Sequence, residues 1–457
     1  MVLKSINPAT GKIIKEYNEW NVEKIDAQLL KSLHAFEEWK KNSYSDRSKL
    51  LKKTAAILRN NKQIYASLIT TEMGKPIIQS EAEIEKCAWV CEYYAENGEK
   101  FLENEYVNID TKKSYVRFSP LGIILTIMPW NFPFWQVFRC AAPALMIGNT
   151  ILLKHSSNVP QCSLAIENIF EMAGFPKDVF RSLLIGSKLV ERVIEDNKIA
   201  AASLTGSSSA GRSVAKKSGA FLKKTVLELG GSDPFIILED ADVSYTVEQA
   251  VKARMINTGQ SCIAAKRFIV VKDIFDEFKD SFSDKVNQLV VGDPMDRSTD
   301  IGPLARKDLT EQLDFQVKKS IQKGATVIIG GKRLEGNPGF YYLPTVLSDV
   351  KKGMPVYDEE TFGPVASLIK VRNEREAIRV ANDTYYGLGA SIWTQDIERG
   401  ESLVNDVQSG AVFVNEIVKS DPRLPFGGIK DSGYGRELSH YGIKEFANIQ
   451  TVFIKKL

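Results

Sequence analysis

The chain is expected to fold as an α/β protein, with parallel, doubly wound sheets divided between two packed domains. Three observations predict this. Its 457 residues exceed the size at which one hydrophobic core stops growing. Short apolar runs alternate with helical stretches, as strands joined by crossover helices do. The composition, 44% hydrophobic and 26% charged, is that of an ordinary globular protein, not of a disordered, fibrous or membrane chain.

A helical layer comes first. From Asp46 the apolar positions Leu50, Leu51, Ile57, Leu58, Tyr65 and Leu68 follow a helical pattern, which stops at Gly74 with Pro76 just beyond. Residues 107–109 and 115–118, separated by the polar stretch 110–114, read as a hairpin whose projection suits self-association. A first series of apolar runs follows at 122–128, 150–154, 181–185, 200–204 and 225–229. A second comes after Cys262, at 268–271, 326–329, 365–370, 389–393 and 411–415. The segment from Glu228 to Cys262 then falls at the junction of the two domains. No Pro/Ser-rich linker, repeat or low-complexity tract interrupts the pattern.

Several function classes are disfavoured. Lys and Arg number 60 against 57 Asp and Glu, and the basic residues are dispersed among acids, so nucleic acid is not an implied partner. The stretch from Met1 to Lys12 has no continuous apolar core, and 121–128 is too short for a bilayer and ends at Pro129. No membrane association and a cytoplasmic location are the expectations. Five cysteines, an odd number without Cys-x-x-Cys spacing, argue against a disulfide framework or a metal site. Cys87 and Cys91, on one helix face with Trp89 and Tyr94 nearby, read as core packing.

Cys262 ends the small-polar stretch Asn257-Thr258-Gly259-Gln260-Ser261. A loop cysteine can be a nucleophile once its thiolate is favoured, although alone it reads as a passive thiol. A Cys-His hydrolase would need His34, His155 or His440 to reach it, and a carboxylate base is the better expectation. Glu228 supplies one: it closes a predicted strand and precedes Gly230 and Gly231, which leave room for a close-approaching ligand or water. Pro129-Trp130-Asn131-Phe132-Pro133 closes another strand, and a proline-rigid turn would aim the Asn131 amide at an oxyanion, or would simply be a packed turn. Gly206-Ser207-Ser208-Ser209-Ala210-Gly211 opens a helix whose N–H groups could face a pyrophosphate, though it lacks both the GxGxxG fingerprint and the Walker lysine.

Together, in this order, these motifs resemble the aldehyde dehydrogenase superfamily. The likeness begins at Asn7-Pro8-Ala9-Thr10-Gly11 and includes Leu204-Thr205-Gly206-Ser207, Glu228-Leu229-Gly230-Gly231, Gly259-Gln260-Ser261-Cys262, Glu360-Thr361-Phe362-Gly363-Pro364 and Pro425-Phe426-Gly427-Gly428 continuing to Gly435-Arg436-Glu437. The resemblance implies a Rossmann-type cofactor domain, an α/β catalytic domain and a small β-hairpin oligomerisation element. The expected division is 1–101 and 121–228 for NAD(P) binding, 229–439 for catalysis, and 102–120 with 440–457 for assembly as a homodimer or homotetramer.

By the same resemblance, Cys262 attacks the aldehyde, and the Asn131 side chain with the Cys262 backbone N–H stabilises the oxyanion. Hydride passes to the nicotinamide, and Glu228 activates the water that hydrolyses the thioester. Neither metal nor histidine is required. Trp130, Gly206 and Ser207, Lys154, and Glu360 with Phe362 are the implied cofactor contacts. Family members that prefer NAD often carry glutamate at the position held here by Ser157, so NADP is the preferred cofactor and NAD the alternative.

Trp135-Gln136-Val137-Phe138-Arg139, the stretch from Lys154 to Pro160 and Cys262-Ile263-Ala264-Ala265-Lys266-Arg267 look like the short succinate-semialdehyde dehydrogenases. Arg139 would then hold the substrate's distal carboxylate; a packing role is the alternative. A second arginine found in some members is Ile256 here, leaving Ser420 and neighbouring Lys419 as candidates for that contact. The substrate expected is a small aldehyde, first succinate semialdehyde and otherwise another short or medium aldehyde. A thiol hydrolase and a non-catalytic structural protein are the readings from other classes.

Overall fold

In the computed structural model, which describes residues 2–109 and 111–455, the two apolar series build two separate sheets. The first is six-stranded, in the order Gly433–Tyr434, Lys224–Glu228, Ile199–Thr205, Ile123–Met128, Thr150–His155, Phe180–Ser182. Only the Gly433–Tyr434 pairing is antiparallel. Chain order reverses between Ile123–Met128 and Ile199–Thr205, so the loops leaving these strands open a crevice at the topological switch point. Ile123–Met128 is buried along its whole length, which is why it reads as a continuous apolar run and not as an alternating one.

The second sheet has seven strands, in the order Thr326–Ile329, Thr345–Ser348, Val365–Val371, Arg267–Val271, Pro234–Ile237, Gly389–Trp393, Ala411–Val414. Thr326–Ile329 is its one antiparallel member. Pro234–Ile237 and Thr345–Ser348 were not among the predicted strands; each is four buried residues, too short to show a period. The N-terminal pair Val2–Asn7 and Lys12–Asn18 is a further addition. Gly433–Tyr434 falls within the range expected for catalysis, yet its strand hydrogen-bonds the edge of the first sheet beside Glu228.

The helical layer consists of Tyr44–Asn60 and Lys62–Met73, ended by Gly74 at φ 84°, followed by the long helix Ile77–Phe101. Cys87 and Cys91 are fully buried there. The hairpin is real, but its first strand is Glu105–Tyr106, not 107–109, and it pairs with Lys113–Pro120. The other edge of Lys113–Pro120 carries Ala447–Ile454, joining the two segments expected to form one element. Asp110 of the expected tip lies outside the described residues, as do Met1, Lys456 and Leu457. Among the described residues no helix is long and apolar enough to cross a membrane.

Candidate active site

The loop before Cys262 is held in an unusual conformation. Asn257, Thr258 and Gly259 have φ of 53°, 56° and 72°, three successive left-handed residues, and a Cβ at Gly259 would collide with the Gly363 carbonyl. The strain is sustained by buried cations. Arg254 donates to the carbonyls of Ala265 at 2.9 Å and Gly259 at 3.2 Å. Lys266 Nζ donates to the carbonyls of Ser261 at 2.9 Å, Cys262 at 2.8 Å and Ala264 at 3.1 Å. Both staples were missed in the sequence, because a Lys or Arg near a nucleophile says nothing of which carbonyls it reaches. Cys262 is the one cysteine of five that is not buried by its neighbours. Burial nonetheless pushes its thiol up to about 12, against the pull of Arg139 and Lys266.

Asn131 leaves the end of Ile123–Met128 and is tied to that loop. Its Nδ2 donates to Gln260 O at 3.1 Å, and Asn257 Nδ2 donates to both Asn131 O at 2.7 Å and Gln260 O at 3.0 Å. One amide hydrogen of Asn131 therefore fixes the side chain and the other remains to donate.

Glu228 closes Lys224–Glu228, is 2% exposed, and has no hydrogen-bond partner on either carboxylate oxygen. Burial first, and the Glu437 carboxylate second, raise its pKa well above the usual range, with Arg139 opposing. Space for it comes from Gly427, where a Cβ would lie 2.8 Å from Glu228 Oε1. The glycines that follow Glu228 serve other neighbours: a Cβ at Gly230 would lie 2.5 Å from Glu360 Oε2, and one at Gly231 2.8 Å from the Cys262 carbonyl.

Arg139 is 2% exposed and already has a carboxylate: its Nε forms an ion pair with Glu437, Nη2 donates to Thr205 Oγ1 at 3.3 Å, and the guanidinium lies 4.7 Å from the Phe426 ring centre. Glu437 had been read only as part of a motif. Ser420 is buried and accepts a hydrogen bond from Lys86 Nζ at 2.8 Å, a residue the sequence gave no reason to single out. Lys419 is half exposed and bonded to Glu416 at 2.7 Å.

The residues expected to contact the cofactor fall in several places. Ser207 caps the helix Ser208–Ala220, its side chain accepting from Ala210 N at 3.3 Å, while a Cβ at Gly206 would meet nothing closer than 4.0 Å. Lys154 and Ser157 share a cavity of about 540 Å³ with Lys4, Glu19, Lys188 and Arg306. Glu360 accepts from Gly231 N at 3.0 Å and sits 3.6 Å from Lys266. Phe362 meets Trp130 edge-on with ring centres 5.7 Å apart.

The histidines do not form a dyad with the thiol. His155 is buried, its Nδ1 accepting from Ser156 N at 2.9 Å so that Nε2 donates to Pro133 O at 2.8 Å; burial lowers its pKa to about 4. His440 packs between Phe101 and Tyr441. His34 lies in the helix Val22–Trp39.

A strained cysteine loop and an unpaired, buried glutamate at a strand end are the chemistry-bearing features of this fold. The chain belongs to the aldehyde dehydrogenase family, whose model matches residues 1–452. It is 50% identical to a probable succinate-semialdehyde dehydrogenase [NADP(+)] of Synechocystis sp., over 99% of this chain and 100% of that protein. It is 46% identical to succinate-semialdehyde dehydrogenase [NADP(+)] 1 of Mycobacterium tuberculosis, with the same coverage. Among solved structures, succinic semialdehyde dehydrogenase from Streptococcus pyogenes, in complex with NADP+, superposes with a TM-score of 0.97 at 35% identity, covering 99% of this chain and 100% of that one.

Proposed function

We propose that this chain oxidises succinate semialdehyde to succinate with NADP, through a thioester on Cys262. The observation that carries the reading is a shared cation: buried Arg139 acts on both the Cys262 thiol and the unpartnered, buried Glu228 carboxylate. The names of the relatives support the substrate and the cofactor.

The Cys262 sulfur, as thiolate, bonds to the aldehyde carbon, and the carbonyl oxygen takes the negative charge. The free Asn131 amide hydrogen and the Cys262 backbone N–H are the assigned donors to that oxyanion. A bound NADP supplies the hydride acceptor that carries the adduct to the thioester. Glu228 then takes a proton from water as the water oxygen bonds to the acyl carbon; the C–S bond breaks and sulfur leaves as thiolate. A carboxyl with a raised pKa is a stronger base for this step.

The residues fit the dinucleotide. Around the cavity beside Lys154 and Ser157, the cations Lys4, Lys188 and Arg306 outweigh one acid, Glu19. Ser157 in place of an acid leaves that cavity able to accept a 2′-phosphate, and the open space at Gly206 with the Ser207 helix start suits the pyrophosphate. Trp130, Glu360 and Phe362 are assigned to the nicotinamide end.

We assign 1–101 and 121–228 to cofactor binding, 229–439 to catalysis apart from the edge strand at 433–434, and 102–120 with 440–457 to assembly as a homodimer or homotetramer. Exposed Ile449 and Phe453 on the outer strand Ala447–Ile454 support the last. Five unpaired cysteines suit a reducing, cytoplasmic setting. A broader aldehyde dehydrogenase is the second reading, favoured by the Arg139–Glu437 pair, which already occupies the guanidinium expected to clamp a carboxylate.

The test is kcat/KM for succinate semialdehyde, butanal and acetaldehyde, each with NADP and NAD. The highest value is expected for succinate semialdehyde with NADP. A preference for butanal would sink the substrate assignment and leave the family untouched.

A further inference from the structure

The residue before the strand Arg267–Val271 is a lysine wholly withdrawn from water. Lys266 lies beside the nucleophile turn, and its Nζ donates to the carbonyls of Ser261 at 2.9 Å, Cys262 at 2.8 Å and Ala264 at 3.1 Å. A neutral amine has two N–H groups, so three accepting carbonyls specify the ammonium. Its counter-ion is Glu360, 3.6 Å away, and Glu360 in turn accepts from Gly231 N at 3.0 Å. Burial lowers the Lys266 pKa, Glu360 and Asp233 raise it, and Arg254 adds to the fall. Burying an ammonium is unfavourable unless it is paired and hydrogen-bonded. Here both conditions are met at the backbone of the nucleophile.

One of the three carbonyls has a chemical consequence. The Ser261 C=O and the Cys262 N–H are opposite ends of one planar peptide group. A cation on the oxygen draws charge from the nitrogen, so the N–H becomes a stronger donor, and the same bond fixes the direction in which it points. Among the described residues no backbone carbonyl takes that N–H. The Cys262 carbonyl, on the next peptide, is held by the same Nζ, so the backbone is fixed on both sides of the Cys262 Cα. A second buried cation extends the arrangement: Arg254 donates to Gly259 O at 3.2 Å, Ala265 O at 2.9 Å, Thr361 O at 3.1 Å and Gly363 O. The nucleophile turn is thereby tied through Arg254 to both neighbours of Phe362, and through Lys266 to Glu360.

We propose that Lys266 is a positioning residue for the oxyanion: it orients and polarises the Ser261–Cys262 peptide, with Glu360 as the counter-ion that keeps it in place. This role rests on the thioester reading, in which the Cys262 N–H donates to the aldehyde oxygen, and it names the group that makes this N–H a strong donor. Lys266 acts through the peptide and not on the substrate. Burial raises the Cys262 pKa, and Arg139 and then Lys266 pull it down, so loss of the ammonium also reduces the thiolate fraction. The two effects are separable, because only one of them requires an oxyanion.

Two reactions of Cys262 that need no cofactor separate them. With iodoacetamide the sulfur bonds to a saturated carbon and iodide leaves, so no oxyanion develops. With p-nitrophenyl acetate the sulfur bonds to the carbonyl carbon, and an oxyanion develops before p-nitrophenolate leaves. The other four cysteines are buried, so both rates report Cys262. In Lys266→Met the alkylation rate should fall a few-fold, with the thiolate. The acylation rate should fall about 10- to 100-fold, less than the roughly 10²–10³-fold of an oxyanion donor removed outright. Lys266→Gln keeps two neutral N–H donors for the same carbonyls and should fall between the wild type and Lys266→Met; it carries the comparison if Lys266→Met does not fold. A merely structural lysine would misplace the sulfur when lost and slow both reactions alike. Equal losses, or an acylation rate that does not fall further than alkylation, overturn the role of Lys266 and leave the thioester reading standing. NADP reduction by Cys262→Ala overturns that reading itself.

Discussion

The two halves of the proposed crevice are built differently. Around Lys154 and Ser157 it is open and polar, a cavity of about 540 Å³ in which Ser157 is exposed. Around Glu228 it is dry: Glu228 and Arg139 are each 2% exposed and Glu437 4%. Charges in water are screened, and each contributes modestly to recognition. Charges out of water shift one another's protonation strongly, as Glu437 and Arg139 act in opposite directions on Glu228. One half is suited to holding a ligand and the other to moving protons. Substitutions should therefore cost orders of magnitude in the dry half and tens of fold in the open one.

The largest effect is expected at Cys262. Cys262→Ala should abolish aldehyde oxidation, because no other described cysteine is exposed to substrate, while NADP binding, followed by fluorescence titration, persists. Oxidation that survives in this variant would remove the nucleophile from its assigned role.

Next comes Glu228→Gln. With the base removed the thioester should form and persist, giving one burst of reduced cofactor per site and a steady-state rate lower by about 10²–10⁴-fold. The base form must be the carboxylate, and its pKa is raised. Thioester hydrolysis in the wild type should consequently rise with pH through that raised value, and the rise should be missing in Glu228→Gln. Stopped-flow absorbance separates burst from steady state; a full steady-state rate in the variant would break the contrast between the two halves.

How much of this was legible in the sequence follows from the distance over which each contact acts. The two sheets were visible because buried parallel strands are long apolar runs, and Pro234–Ile237 escaped because four residues show no period. Glu228 and Asn131 stood out as motifs at strand ends, and Cys262 in a small-polar loop. What Glu228 needs around it did not: Gly427, which makes room for it, and Glu437, which raises its pKa, are brought there by folding. Lys86 and Ser420 are 334 residues apart, and neither side chain alone signals a partner. Gly230 and Gly231 were read as leaving room for a ligand or water, whereas the neighbours that approach them are Glu360 and the Cys262 loop.

The smallest effect should come from the open half, and it tests whether solvated charge sets cofactor choice. Ser157→Glu places a second acid near Glu19 in a cavity otherwise lined by Lys4, Lys154, Lys188 and Arg306. A carboxylate there repels a 2′-phosphate and can accept hydrogen bonds from ribose hydroxyls, so the ratio of kcat/KM with NADP to that with NAD should fall. Exposure limits the size to about 10- to 100-fold, roughly 1.4–2.8 kcal/mol. Added salt should shrink the shift, because the charges it depends on are reached by mobile ions. Turnover at saturating cofactor should stay near that of the wild type, since Ser157 belongs to the half that binds. An altered turnover with an unaltered cofactor ratio would mean that the adenosine cavity and the dry pocket are coupled, and that the division between holding and reacting does not describe this enzyme.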